Sequence, residues 1–271
     1  MINVPIQWTR KVIEFNGFSI SYIEGGNESE EHPILFLHGW SVSTEPYREY
    51  LELLAQKHWV IAPDLPGFGR SPCSYSLTSY QTYANCILQL VERLNLNRLK
   101  LIGHSFGGGV ALALAAAIPQ AVDSLIVIGS TGIPLSLSDA IAGRFAELPQ
   151  QIAQLTWIRL LKVIQAMGHN LVFRTRHLIT GAKIALQEDI RPWLSEIKAP
   201  CLVLWGEGDR FTPLKTGYSL VETISNSQLQ IVPEGYHEDC MMQPEAIATI
   251  TLDFLTSTQS VTPIGHESSP K

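Results

Sequence analysis

Residues Leu99–Ala115 read LKLIGHSFGGGVALALA, and the fold turns on how this stretch is read. A short apolar run opens it and a long run of small apolar residues closes it. One serine stands between them, with Gly103 two residues before and Gly107 two after. The first run suits a strand buried on both faces, and the second suits a buried helix. A strand that passes directly into a helix across G-x-S-x-G must turn sharply, and the glycines leave room where a Cβ would clash. Such a turn lifts the Ser105 hydroxyl above the carboxyl end of the strand, at a helix N-terminus. The backbone N–H of Phe106 then points where negative charge on a reacting oxygen would form.

Outward from this turn the chain alternates between strands and helices. KVIEF and FSISYIE flank Asn16-Gly17, the strongest short hairpin signal, because both turn positions tolerate positive φ. PILFLHG is a continuous apolar run ending in glycine, and YREYLELLAQ has helical spacing. WVIAPDLPGFGRSP reads as a strand entering a loop. Tyr80, Tyr83, Ile87, Leu90, Val91 and Leu94 form one face of a helix. Strands follow at VDSLIVIGS, APCLVLWG and LQIVP, with helices at Pro213–Glu222 and PEAIATITLDFL. This order predicts an α/β fold, a mainly parallel sheet flanked by helices. Residues 1–130 and 192–255 are expected to form the core. Residues 131–191 show no strand and are expected to form a helical cap inserted over one end of the sheet. The polar, proline-containing segment 256–271 is expected to be a disordered tail.

Composition narrows the function. The chain has 271 residues, 45% of them hydrophobic and 16% charged, with a formal net charge of −6. That balance supplies no basic face for phosphates, so nucleic acid is not an expected partner. The longest apolar run, VALALAAAI, is too short for a bilayer span, which needs about 20 residues. The N-terminus lacks the basic start and apolar run of a signal peptide. Cys73, Cys86, Cys201 and Cys240 show no paired spacing and read as free thiols in a reducing, cytoplasmic compartment. No ligand spacing among the histidines suggests a metal, and the GGG run lacks the Lys and Ser/Thr of a phosphate-binding loop.

A serine hydroxyl is a weak nucleophile and needs a base, which in turn needs an orienting carboxylate. VLWGEGDRFTP places an acid in a loop after a strand. Asp209 is the expected carboxylate and Glu207 the competitor; the plainer role for Asp209 is to cap its turn. LQIVPEGYHEDC places His237 in the loop after the last strand, where a lone histidine would otherwise be structural.

With these residues assembled, the chain resembles the α/β-hydrolase superfamily along nearly its whole length. The matching pieces, in family order, are LHGW, DLPGFGRSP, GHSFGG, WGEGDRFTP and GYH. The resemblance implies a Ser105–Asp209–His237 triad, an oxyanion hole from the N–H groups of Trp40 and Phe106, and a helical cap. Serine at the elbow argues against the branches that use aspartate there. One departure is Tyr236 directly before the histidine, with Gly235 one residue earlier and Glu238 and Asp239 following. His38 and His104 become scaffold groups, and Asp64 is expected to order its loop. The implied activity is cofactor-free hydrolysis of an ester, thioester or activated C–C bond in a small to medium apolar substrate. The alternatives are a cofactor-independent haloperoxidase or perhydrolase, or a non-catalytic ligand receptor. The expected partner is a small molecule, and the oligomeric state is open. Phe145, Trp157 and Met167 are the expected pocket residues of the cap. Arg144, Arg159, Arg174 and Arg176 are either solvated or, for one of them, turned inward to hold a substrate carboxylate.

Overall fold

The computed structural model describes residues 5–154 and 157–259. Its eight strands form one sheet in the order β1-β2-β4-β3-β5-β6-β7-β8. Strands β1 (Thr9–Phe15) and β2 (Phe18–Gly26) form the hairpin expected at Asn16-Gly17, with Phe15 opposite Phe18 and Gly17 at φ +86°. Strand β2 pairs antiparallel with β4 (Trp59–Pro63). From there the sheet is parallel through β3 (Ile34–Leu37), β5 (Leu99–His104), β6 (Val122–Ile128), β7 (Cys201–Gly206) and β8 (Ser227–Val232).

Side chains that alternate along these strands feed two cores. Leu99, Leu101, Leu125, Val127, Val203 and Trp205 face one side. There they meet α2 (Tyr80–Arg93), α3 (Phe106–Ala117) and α7 (Leu214–Thr223). Ile102, Ile126, Ile128, Leu202 and Leu204 face the other side, against α1 (Arg48–Ala55), the short α8 (Asp239–Met242) and α9 (Pro244–Gln259). Both faces of the central strands are therefore dry, which explains why they read as unbroken apolar runs.

Parallel pairing sets the strand ends side by side. Leu37 lies opposite Gly103, Gly103 opposite Val127, and Gly206 opposite Val232. The loops that leave β3, β5, β6, β7 and β8 thus gather at one carboxyl edge, where open α/β sheets place their ligand sites. Between β6 and β7 the chain builds three helices, α4 (Leu137–Gln154), α5 (Trp157–Phe173) and α6 (Thr175–Gln187). They are pinned to the edge loops by the Asn170 side chain. Its amide donates to the carbonyls of Ser41 and Val42 at 2.9 Å each, and its oxygen accepts from Gly69 N–H at 2.8 Å.

Helix α9 runs to Gln259, into the segment expected from position 256 to be disordered. Leu255 packs in the core, and the hydroxyls of Thr256 and Ser257 donate back to the carbonyls of Leu252 and Phe254. A polar composition here decorates a helix end instead of unravelling it. Residues 260–271 of that expected tail lie outside the described residues. All four cysteines are free. Among the described residues no helix is long and apolar enough to cross a membrane.

Candidate active site

Ser105 occupies the turn between β5 and α3 at φ +53°, ψ −117°, a conformation an L-residue holds only when its surroundings impose it. The glycines supply that room. A Cβ on Gly103 would strike the Gly107 carbonyl, and one on Gly107 would strike the Leu37 carbonyl on the neighbouring strand. Ser105 N–H donates to Ile128 O at 2.9 Å, and its own carbonyl accepts from Thr131 N–H at 3.1 Å. The strained turn is thereby tied to β6.

The structure brings Ser105, His237 and Asp209 together. His237 Nε2 lies 2.8 Å from Ser105 Oγ, and His237 Nδ1 lies 2.9 Å from Asp209 Oδ2. The three residues are only 3–4% exposed. An ionised carboxylate accepts only, so Nδ1 carries the proton and Nε2 is free to accept from the serine hydroxyl. Burial alone would lower the His237 pKa, but the charge and hydrogen bond of Asp209 outweigh it and the net shift is upward. Glu207, the competing carboxylate, points away and accepts from Glu234 N–H at 3.2 Å. Thr212, unforeseen in the sequence, holds Asp209. Its N–H donates to Oδ1 at 2.8 Å and its hydroxyl to Oδ2 at 2.7 Å. The three-residue spacing Asp209–Thr212 is the local signal of such a turn.

A second network lies beneath. Gly39 N–H donates to Tyr47 OH at 3.1 Å, Tyr47 OH donates to His104 Nδ1 at 2.7 Å, and His104 Nε2 donates to His237 O at 2.7 Å. Burial, followed by the neighbouring His237, lowers the His104 pKa to about 4, so this ring is neutral. His38 accepts from Leu65 N–H through Nε2 and donates to Gly39 O through Nδ1. Asp64 accepts from Thr44 and Arg70. No pattern in the sequence marks Tyr47.

Trp40 and Phe106 border the same cavity as Ser105. The N–H of Phe106 is the first of α3 and has no carbonyl four residues back within the helix. Among the described residues no backbone carbonyl or side chain accepts from Trp40 N–H; its indole instead donates to Leu178 O at 2.9 Å.

Two cavities of about 250 Å³ each meet at Ser105. One is apolar, walled by Leu137, Ile141 and Phe145 of α4 and by Ala182 and Leu186 of α6. The other runs past Tyr47, His104, Met167 and His237. Of the expected pocket residues, Phe145 lines the first although it is 71% exposed, and Met167 lines the second. Trp157 does not belong with them: it is 81% exposed and borders neither cavity. The buried Asn170 fixes which side of α5 faces inward, and thirteen residues at 100° each put Trp157 on the far side.

Helix α4 grips both loops that carry Asp209 and His237. Arg144 Nη2 donates to Glu238 Oε1 at 2.7 Å, beside His237, and the guanidinium lies 5.6 Å from the Phe211 ring. The Phe211 ring in turn meets the His237 ring edge-on at 4.8 Å. Glu147, 1% exposed, accepts from the N–H groups of Arg210 and Phe211, just past Asp209. At Gly143 the helix lies so close that a Cβ would strike the Arg210 carbonyl. Burial would raise the Glu238 carboxyl, yet Arg144, His237 and His104 hold it at about 2. Of Arg144, Arg159, Arg174 and Arg176 only Arg144 borders these cavities, and Glu238 engages it. Arg159 pairs with Glu49, Arg174 with Gly69 O, and Arg176 with Ser76. In the histidine loop, Asp239 Oδ1 accepts from Tyr236 N–H at 2.9 Å, while buried Oδ2 has no hydrogen-bond partner among the described residues. Burial pushes this carboxyl up to about 7.

Comparison with known proteins agrees with this architecture. Residues 32–161 match the family model of the alpha/beta hydrolase fold. A 2-hydroxy-6-oxo-6-phenylhexa-2,4-dienoate hydrolase of Burkholderia cepacia is 27% identical, over 92% of this chain and 97% of its own. An uncharacterized hydrolase of Bacillus subtilis is 26% identical, over 86% and 96%. The crystal structure of a putative lipase from Acinetobacter baumannii superposes with a TM-score of 0.79 at 22% identity, covering 94% of this chain and 93% of that one. With its mostly parallel eight-stranded sheet, its serine elbow and these similarities, the chain has the α/β-hydrolase fold.

Proposed function

We propose that the protein is a serine hydrolase that cleaves a small to medium apolar ester or thioester through an acyl-serine. The observation that carries this reading is the buried hydrogen-bonded chain from Ser105 Oγ through His237 to Asp209, at the junction of two cavities. Ser105 Oγ attacks the carbonyl carbon as His237 Nε2 takes its proton. Asp209 holds the imidazolium that forms. The N–H groups of Trp40 and Phe106 receive the oxyanion, a contribution of about 3–4 kcal/mol per donor. His237 then protonates the leaving alcohol or thiol, and water repeats the sequence to release the acid. The apolar cavity under α4 and α6 holds the acyl group, with Phe145 at its wall, and the helices 137–187 act as its cap.

Activated C–C bonds belong to the same mechanism, and the Burkholderia cepacia relative bears the name of a dienoate hydrolase. A dienoate carries a carboxylate. Here Arg144 is the one Lys or Arg among the described lining residues of both cavities, and Glu238 already engages it. That favours a neutral substrate.

The test is labelling by a fluorophosphonate probe together with turnover of a panel of p-nitrophenyl esters and acyl thioesters. Wild type should be labelled and turn over short and medium esters, and Ser105→Ala should lose both while keeping its melting temperature. Wild-type turnover by Ser105→Ala would remove Ser105 as the nucleophile. An unlabelled wild type without turnover would favour a ligand receptor.

A further inference from the structure

Helices α5 and α6 carry cations without acids. From Trp157 to Gln187 there is no Asp or Glu, while Arg159, Lys162, Arg174, Arg176 and Lys183 are present, in a chain of net charge −6. Arg159 and Arg174 turn inward to protein partners. Arg176 and Lys183 are exposed on α6 and flank Ile179, itself 67% exposed, at spacings of three and four residues. Among the described residues Arg176 bonds only to neutral oxygens of Ser76 and Ser74, and no carboxylate pairs with it there.

On α5 the exposed face is apolar. Trp157, Leu161, Ile164 and Leu171 are each more than half exposed and recur at spacings of four, three and seven. At 100° per residue they fall within about 80° of one another, a single stripe. A solvent-facing helix normally carries polar groups there, and an exposed apolar patch of this kind marks an interaction surface.

We propose that α5 and α6 together form a docking face for an anionic phospholipid surface, on which the protein lies without spanning it. Bulky apolar groups including a tryptophan, flanked by Arg and Lys and free of acids, are what interfacial helices use to enter the headgroup region of negatively charged bilayers. Charge argues against a second copy as the occupant, because two such faces would set cations against cations with no acid between them. The apolar stripe argues against an acidic polypeptide, which would leave Trp157 and Leu161 in water. The inner face of the same α6 lines the apolar cavity through Ala182 and Leu186, so docking sets that cavity against the lipid phase.

The experiment is cosedimentation of the whole protein with vesicles of equal parts phosphatidylcholine and phosphatidylglycerol, and with vesicles of phosphatidylcholine alone, at low and high salt. Binding is expected to the anionic vesicles only and should weaken with salt. The emission of Trp157 should move to the blue, a shift absent in Trp157→Phe. Arg176→Gln/Lys183→Gln should lower partitioning by about fivefold for each cation removed. Leu161→Ser/Leu171→Ser should lower it roughly tenfold or more. Both variants should keep the wild-type melting temperature and fluorophosphonate labelling. Ser105→Ala should bind vesicles as wild type does, so this result stands apart from the chemistry at Ser105. No binding to anionic vesicles, equal binding to neutral ones, or unchanged partitioning of both variants would overturn the proposal. So would a stable dimer in solution that Leu161→Ser/Leu171→Ser dissociates, or capture by polyglutamate without any vesicle binding.

Discussion

Asp239→Asn should stabilise the protein, and by more at high pH than at low. Asp239 is buried in the histidine loop with Oδ2 unpartnered, and burial lifts its carboxyl from 3.8 to about 7. Between those two values the folded chain holds a proton that the unfolded chain has released. Folding is therefore progressively disfavoured as pH rises from about 4, and the full cost is reached above about 7. Each unit of difference is worth about 1.4 kcal/mol, so about three units amount to some 4 kcal/mol at alkaline pH. Asparagine keeps the oxygen that accepts from Tyr236 N–H and has no proton to lose. The measurement is urea unfolding of wild type and variant at about pH 5 and about pH 8, with unchanged m-values. The advantage of the variant should grow by about 3 kcal/mol between the two pH values. An advantage that is the same at both, or a loss at both, would show that Asp239 folds as an ordinary carboxylate and that its burial is wrongly understood.

Four further outcomes follow from the site. Asp209→Asn should lower kcat by about 10⁴ through the wrong histidine tautomer, while Glu207→Gln stays near wild type; the reverse ranking in ester assays would reassign the carboxylate. The kcat/KM profile should fall as pH drops through a His237 pKa above 6.5, and Glu238→Gln should move that limb to lower pH, because Glu238 supports the charged ring. A limb that stays or moves upward would contradict the electrostatics. Glu147→Ala, which strips the acceptor from the N–H groups of Arg210 and Phe211, should cost about 1–3 kcal/mol in unfolding experiments and lower kcat, with Glu147→Gln restoring both; a loss of stability with kcat intact would make the contact merely structural. Phe145→Ala should shift the acyl chain-length preference and Trp157→Ala should not, a contrast that a series of p-nitrophenyl esters reads directly.

Much of the core was legible because its physics is local. The Asn16-Gly17 turn, the apolar runs of β3, β5 and β7, and the glycines around Ser105 each encode their geometry within a few residues. The positions of Asp209 and His237 could be read because each follows a strand that must end at the same edge. What holds those residues could not be read. Tyr47 reaches His104 across 57 residues, and Arg144 reaches Glu238 across 94, pairings that only tertiary packing creates. The orientation of α5 was hidden for another reason: apolar residues occur on both of its faces, and the buried anchor is the polar Asn170. A reading by hydrophobicity therefore places Trp157 inward, whereas the structure turns it to solvent.

The grip of α4 on both of these loops limits how a ligand can enter. Lifting this helix would break the Arg144–Glu238 pair and withdraw Glu147 from the chain just after Asp209, so an entrance opened there would loosen the loops that hold Asp209 and His237. Helix α6 grips elsewhere: Leu178 O accepts from the Trp40 indole, and His177 Nε2 lies 3.1 Å from Cys73 O. The two sides of the roof thus answer to different parts of the edge: α4 to the loops after β7 and β8, α6 to those after β3 and β4.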